Sequence, residues 1–414
     1  MWKRFTALTV LLGLAMAGGL SGSYEFSTGW VRDWESGSFF QGEASHKLNL
    51  NLRFAGGAGE GRAYLYAGPR EALTLGDAEL RFRSSEFSLR LFYNLKEGQA
   101  GDLLGVSQAE GWGSGTGFRL DLRPLEMHMA RLGADTGFLG LYRDRWAGLD
   151  LLALYAYKAY GDQMNHALAL QAGGEVGGHR LQGEVAYGNA EGVGGLALEA
   201  QALGSGPLPG FRYTLGVRHV TPEYRAYLSH RWQSETRLFG EPWRENAQAE
   251  LYGEVKSEDV QAYTVKVYGL TYAGSAGRVF GVGLEGWRNP YEGLRPYGKL
   301  EYAQRPGQSR LSGLLELAWY GKAQGADLAL KANTGFSLQG SLSYTLYGEA
   351  EARRGEWRFF GKVLLRPTEG LATFYAQANL SLSRLTLSFG LGEADFEAFK
   401  SFRPVFRVST AVSF

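Results

Sequence analysis

The feature that most constrains this chain is a period-two alternation of apolar and polar residues that returns from one end to the other. HKLNLNLRF, residues 46–54, sets Leu48, Leu50, Leu52 and Phe54 on one side, with His46, Asn49, Asn51 and Arg53 counted opposite. Successive side chains of an extended chain point to opposite faces, so this is a strand with one greasy and one wet side. DAELRFRSSEFSLRLFYN (77–94) repeats the pattern twice about a Ser84-Ser85 turn: Ala78, Leu80, Phe82, Phe87, Leu89, Leu91 and Tyr93 oppose Glu79, Arg81, Arg83, Glu86, Ser88 and Arg90. GFRLDLRP (117–124) places Arg119, Asp121 and Arg123 against Phe118, Leu120 and Leu122, and GFRYTLGVRH (210–219) places Arg212 and Arg218 against Tyr213, Leu215 and Val217. Helical spacing appears nowhere with comparable strength, so the chain is expected to be all-β.

Further copies of the unit bring the expected number to about 24 strands, within a range of 18 to 26. No strand reads as apolar on both faces, because Arg, Glu, Asp or Asn stands near the middle of nearly all of them. That argues against a propeller, whose inner strands are covered on both sides. A soluble sandwich also alternates, and periodicity alone does not separate it from a barrel in lipid.

The N-terminus helps to decide. Lys3 and Arg4 precede an apolar run, FTALTVLLGL, and then Ala15-Met16-Ala17, the order of a secretory signal too short to span a bilayer. Residues 1–17 are therefore expected to be removed, with Leu20-Ser21-Gly22 as a second cleavage site, leaving 18–414 as the folded unit. The 43 basic and 42 acidic residues exclude nucleic-acid binding driven by bulk charge. With no Cys, an exported chain must hold together through hydrogen bonds and packing alone. Its 60 glycines against 11 prolines suit tight hairpins rather than a disordered linker.

The last residues, FRPVFRVSTAVSF, alternate up to Phe414. An amphipathic strand at a chain end leaves an open edge unless it is paired, and pairing it with the first strand would close the sheet. Only helices and closed barrels satisfy every backbone group inside lipid. On Phe406, Val408, Thr410, Val412 and Phe414 the chain resembles the outer-membrane β-barrels of diderm bacteria, whose C-terminal strand carries an assembly signal. The resemblance implies a single transmembrane antiparallel up-and-down β-barrel in the outer membrane, meeting outer-membrane lipid outside and the barrel assembly machinery during biogenesis.

In such a barrel the polar faces line the lumen. Arg53, Glu79, Arg81, Arg83, Arg90, Arg119, Asp121, Arg123, Arg212 and Arg218 are the expected lumen-lining residues, and the Arg excess of the first third suggests a mild anion preference. No plug domain is read upstream: TonB-dependent transporters resemble barrels with a globular domain ahead of the first strand, whereas strand-like sequence begins here at Tyr24-Glu25-Phe26. Two dozen strands enclose a wide lumen, so something should narrow it. Three irregular stretches are candidates, 95–115, 221–246 and 393–405, although Tyr224 to Trp232 also alternates like a strand.

Enzymatic signals are missing. The six His are scattered without ligand spacing and read as solvated wall residues, and Glu349 with Glu351 reads as wetted wall. No catalytic residue, metal or cofactor is assigned. The sequence thus points to an outer-membrane channel for passive diffusion of small hydrophilic solutes or ions. The alternative is a structural or export barrel filled by a partner protein or a transported polymer. Association with copies of itself or with an envelope partner stays open.

Overall fold

The structure is a computed structural model describing residues 17–32, 39–41, 45–54, 59–67, 74–206, 210–229, 248–257, 263–274, 277–288, 293–382, 385–392 and 405–413. Of the expected signal segment 1–17, residues 1–16 lie outside the described residues while Ala17 begins the first strand; Phe414, 230–247 and 393–404 also lie outside them. In chain order the strands are β1 (Ala17–Arg32), β2 (Phe39–Gln41), β3 (Ser45–Phe54), β4 (Gly59–Ala67), β5 (Thr74–Arg83), β6 (Ser88–Lys96), β7 (Ser114–Leu122) and β8 (Leu125–Leu132). Then come β9 (Asp135–Trp146), β10 (Leu149–Tyr160), β11 (Gln163–Val176), β12 (His179–Ala190), β13 (Val193–Ser205), β14 (Phe211–Val220), β15 (Gln248–Ser257), β16 (Tyr263–Gly274) and β17 (Gly277–Arg288). The run ends with β18 (Leu294–Arg305), β19 (Gln308–Ala323), β20 (Ala326–Gln339), β21 (Ser341–Arg354), β22 (Trp357–Arg366), β23 (Leu371–Leu382), β24 (Leu385–Gly392) and β25 (Val405–Ser413).

All 25 described strands belong to one sheet, against about 24 expected. From β3 to β25 each strand pairs antiparallel with its neighbour in sequence. β1 pairs with β3, Tyr24 opposite Leu48, and also with β25, Tyr24 opposite Val412. The first and last strands are therefore hydrogen-bonded to each other, as the terminal alternation suggested. The three-residue β2 adds only to the end of β1, where Val31 faces Phe40.

The hairpins are built by local chemistry. At Ser84 the backbone N–H donates to the Phe87 carbonyl at 2.9 Å, and the Ser84 hydroxyl accepts from the Glu86 and Phe87 N–H groups. Gln324 and Gly325 both have positive φ, 51° and 77°, which a two-residue turn needs to match the strand twist. Arg123, expected on the wall, instead stands with Pro124 in the two-residue turn between Leu122 and Leu125, exposed. The proline has no N–H for a ladder, so the strand ends before it.

The ends of the sheet differ. β1 starts and β25 finishes at the same edge, as the pairing of Ser23 with Ser413 requires. The three longest connections, 97–113, 221–247 and 393–404, all leave from the other edge.

His46 is a further correction. It sits on the same face as Leu48, opposite Phe26, and meets the Tyr24 hydroxyl at 2.6 Å. His166 and His179 likewise lie on the apolar face, each against a tyrosine hydroxyl, Tyr155 at 2.8 Å and Tyr213 at 2.9 Å. Three of the six histidines thus belong to Tyr–His pairs on the greasy side rather than to a wetted wall.

Candidate functional site

The register sorts the side chains onto two faces, and burial separates them. On the apolar face Leu168, Leu170, Leu196, Leu198, Leu215, Val217, Leu315 and Leu317 stand between 44% and 62% exposed. No soluble core would leave such a row uncovered. Of the terminal residues Phe406, Val408, Thr410, Val412 and Phe414, the side chains of Thr410 and Val412 are described; both lie on this face, half-buried and exposed.

The opposite, polar face carries nine of the ten expected lining residues, all but Arg123. It also pairs them more fully than the sequence showed. Glu79, 7% exposed, receives Arg62 at 2.7 Å, Arg81 at 3.2 Å and Arg90 Nε at 2.5 Å. Arg90 reaches on to Glu97, and Arg119 bridges Asp121 at 3.0 Å and Glu126 at 3.1 Å. Arg53 faces Glu60 across the ladder, and Arg83 comes within 3.8 Å of the same Glu60. Glu60, Glu97 and Glu126, outside the expected lining set, offset much of the Arg excess. Arg218, buried, lies 3.8 Å from Glu199 and also contacts Glu250, while exposed Arg212 stands opposite Lys256. His128 is buried beside Glu126 on this face, not solvated as expected of a wall histidine.

The first irregular stretch and the described part of the second fold onto the polar face. The first, 97–113, is tied across β6 to β12. Arg143 donates to the Ala100 carbonyl, Leu103 N–H to Gln171 at 2.7 Å, and Leu104 N–H to Glu184 Oε2 at 2.8 Å. Its short helix α1 (Ala109–Trp112) ends on Trp112, 3% exposed, whose indole N–H donates to Ser107 Oγ at 2.8 Å. The Ser107 hydroxyl in turn donates to the Gly98 carbonyl at 2.7 Å, closing the segment on itself.

The second, 221–229, is not a strand, although Tyr224, Ala226 and Leu228 are all buried in alternation. Between Thr221 and Leu228, each bonded to a neighbouring backbone, it is held by the Asn165 side chain, which donates to the Arg225 carbonyl at 3.2 Å and accepts from Tyr227 N–H at 2.9 Å. One amide supplies the donor and acceptor that a ladder partner would. The approach is close: a Cβ on Gly188 would sit 2.1 Å from the Arg225 carbonyl oxygen, and one on Gly195 would sit 2.1 Å from Tyr224 N. Gln108 N–H donates to the Leu228 carbonyl at 2.9 Å and Ser229 Oγ to the Gly105 carbonyl, so the two segments hold each other. Burial, with Asp102 and Glu184 nearby, pushes the Tyr224 hydroxyl well above its usual pKa, and it stays protonated.

Beneath them the polar face turns apolar. Leu139, Leu141, Leu152 and Leu154 are at most 6% exposed and pack with Leu104, Val106 and Leu228 in one cluster. The expectation that no strand is apolar on both faces therefore fails for β10, where LLALYAY (151–157) is greasy on both sides. That unbroken run was the available signal that something covers the wall there. The third stretch, 393–405, lies outside the described residues except Val405.

Across β15 to β23 the same face shows a different surface, rich in Tyr, Glu and Lys at mostly half-buried positions, with Tyr268, Leu270, Val279 and Ala303 forming a small buried cluster. Lys266 sits between Glu254 at 2.9 Å and Glu285 at 3.5 Å, and Lys331 meets Glu316 at 2.9 Å. Tyrosine hydroxyls donate to carboxylates, Tyr268 to Glu301 at 2.8 Å and Tyr347 to Glu349 at 2.5 Å. Glu349 and Glu351 do share this face; Glu351 is held by Arg358 at 2.8 Å and by Arg353. No group of three potential metal ligands occurs among the described residues.

No family model matches the chain, and no curated protein matches it. Solved structures do. The siderophore receptor PirA from Pseudomonas aeruginosa superposes with a TM-score of 0.53 at 12% identity, over 95% of this chain and 80% of that one. The alcaligin outer-membrane receptor FauA from Bordetella pertussis gives 0.51 at 10%, over 96% and 76%. A chain of the E. coli P pilus tip assembly intermediate PapC-PapD-PapK-PapG gives 0.58 at 12%, over 96% of this chain and 61% of that one. At these identities the likeness is one of fold, and the fold is that of bacterial outer-membrane β-barrel proteins.

Proposed function

We propose that this chain is a closed barrel in the outer membrane of a diderm bacterium, exported through its N-terminal signal, and that it serves as a channel for passive diffusion of small hydrophilic solutes. The observation that carries the reading is the division of faces. A belt of exposed Leu, Val and Phe suits hydrocarbon, and the ion-paired face behind it suits enclosed water. The pairing of β1 with both β3 and β25 supports closure. Segments 97–113 and 221–229, anchored on one arc of the polar face, narrow the lumen, and among the described residues no segment lies over the Tyr-, Glu- and Lys-bearing arc of β18 to β23. With both described ends of the sheet run at one edge and the long connections at the other, the chain ends face the periplasm.

Purified protein added to planar bilayers tests this: discrete conductance steps are expected. Folded protein that gives no steps, or mature protein that dissolves as a compact monomer without detergent, overturns it. A second reading, an export barrel, draws on the similarity to the P pilus assembly chain. A protein partner that co-purifies and must be stripped before current appears would favour it.

A further inference from the structure

We propose that the open arc of the polar face, β18 to β23, is a binding track for neutral polyhydroxylated solutes, that is, sugars and short oligosaccharides. This deepens the channel reading and rests on it for the location of the track inside the lumen.

The register lays out a grid. One row across the strands runs Tyr297, Glu316, Asn333, Tyr347; the row beside it runs Lys331, Glu349, Lys362, Tyr375. With strands about 4.8 Å apart, Tyr297 and Tyr347 stand about 14 Å from each other along the wall. Each ring is anchored by its hydroxyl to a polar neighbour: Tyr297 to Glu285 at 3.3 Å, Tyr347 to Glu349 at 2.5 Å, Tyr375 to Gln377 at 3.1 Å. The Gln377 amide continues to Asn379 at 2.8 Å. Half-buried rings held in this way are fixed platforms rather than mobile side chains.

Charge decides what the platforms suit. A ring or patch of one sign selects ions of the other. Here opposite signs alternate at contact distance: Lys331 with Glu316 at 2.9 Å, Lys299 with Glu301 at 3.0 Å, and Lys362 across the ladder from Glu349. Such pairs cancel one another's field a few ångströms away, so an ion gains little from the track. They remain rich in hydrogen-bonding positions, because an ammonium has three donors and a carboxylate about four acceptor sites. A sugar offers hydroxyl groups that both donate and accept, and C–H faces that rest on an aromatic ring. It matches a wall of fixed rings among paired donors and acceptors, and it suffers no repulsion from either sign.

The first experiment is calorimetry on detergent-solubilised full-length protein titrated with maltotriose, which reads the track whether or not the pore conducts. Saturable binding is expected, with Tyr347→Ala and Tyr297→Ala each weakening it by about tenfold or more. Tyr344→Ala, on the apolar face of the same strand, controls for folding and should leave binding unchanged. The second is ion current through single channels, in which maltotriose should cause brief, concentration-dependent closures that glutamate and phosphate at equal concentration do not. Absence of saturable binding, equal weakening by Tyr344→Ala, or closures by the anions alone each overturns the proposal. Sugar binding without conductance sustains the track and sinks the channel reading; conductance without sugar binding does the reverse.

Discussion

The two arcs of the polar face are made from the same kind of hairpin yet behave as different materials. Over β9 to β14 that face carries Leu139, Leu141, Leu152, Leu154 and a set of alanines, buried under chain that returns from one edge of the sheet. Over β18 to β23 it carries tyrosines and alternating ions, mostly half-buried. Small or greasy side chains make a seat for another piece of backbone, whereas large hydrogen-bonding ones are self-sufficient and keep the water beside them. The difference shows how one face of a single sheet can hold, among the described residues, both a seat for returning chain and an arc of paired polar side chains.

The comparison can be broken most forcefully by removing the obstruction. Replacing 98–112 and 222–228 by short turns should raise single-channel conductance by roughly twofold or more, since a barrel of this strand number is wide enough to hold water once cleared. An unchanged conductance would show that the covered arc does not set the passage. Next in size, Trp112→Ala should lower the local opening free energy of segment 97–113 by about 3–5 kcal/mol, read by hydrogen exchange of its amides, while exchange in β18 to β23 stays as it was. Gly188→Val puts side-chain atoms where the Arg225 carbonyl lies, and should release 221–229 at a cost of about 1–3 kcal/mol, seen as faster proteolysis there. On the open arc the effect should be smallest. Lys331→Met removes one part-exposed ion pair, 38% and 23% exposed, and should change stability by less than about 1 kcal/mol in denaturant titration. A loss as large as that of Trp112→Ala would mean the two arcs are not different in kind.

How much of this was legible in the sequence follows from the range of the interactions. The faces were, because alternation is a local property: Leu48 and Leu50 declare their side without reference to anything distant. The exceptions were local too. Counting alone puts His46 on the wrong side, and the alternation carries Arg123 past the point where Pro124 stops a strand. The candidate obstruction was legible as irregular chain, but not its seat. Asn165 bonds to Arg225 and Tyr227 about sixty positions away, Leu104 to Glu184, and Ser229 to Gly105. Nothing in the neighbourhood of Gly188 or Gly195 says that a backbone will press on them. The greasy run at 151–157 was the one clue, and it pointed to covering without naming the cover.

The ladder between β1 and β25 has a consequence for how the molecule comes into being. Ser23 and Ser413 sit side by side, yet nearly the whole polypeptide separates them. From β3 onward each described strand pairs with the next in sequence, but this seam joins strands far apart in the chain. Until it forms, two bare edges and a long oily ribbon are exposed at once, and contacts of such high sequence separation form slowly. The lateness of that one pairing is thus imposed by the geometry of a single pair of strands.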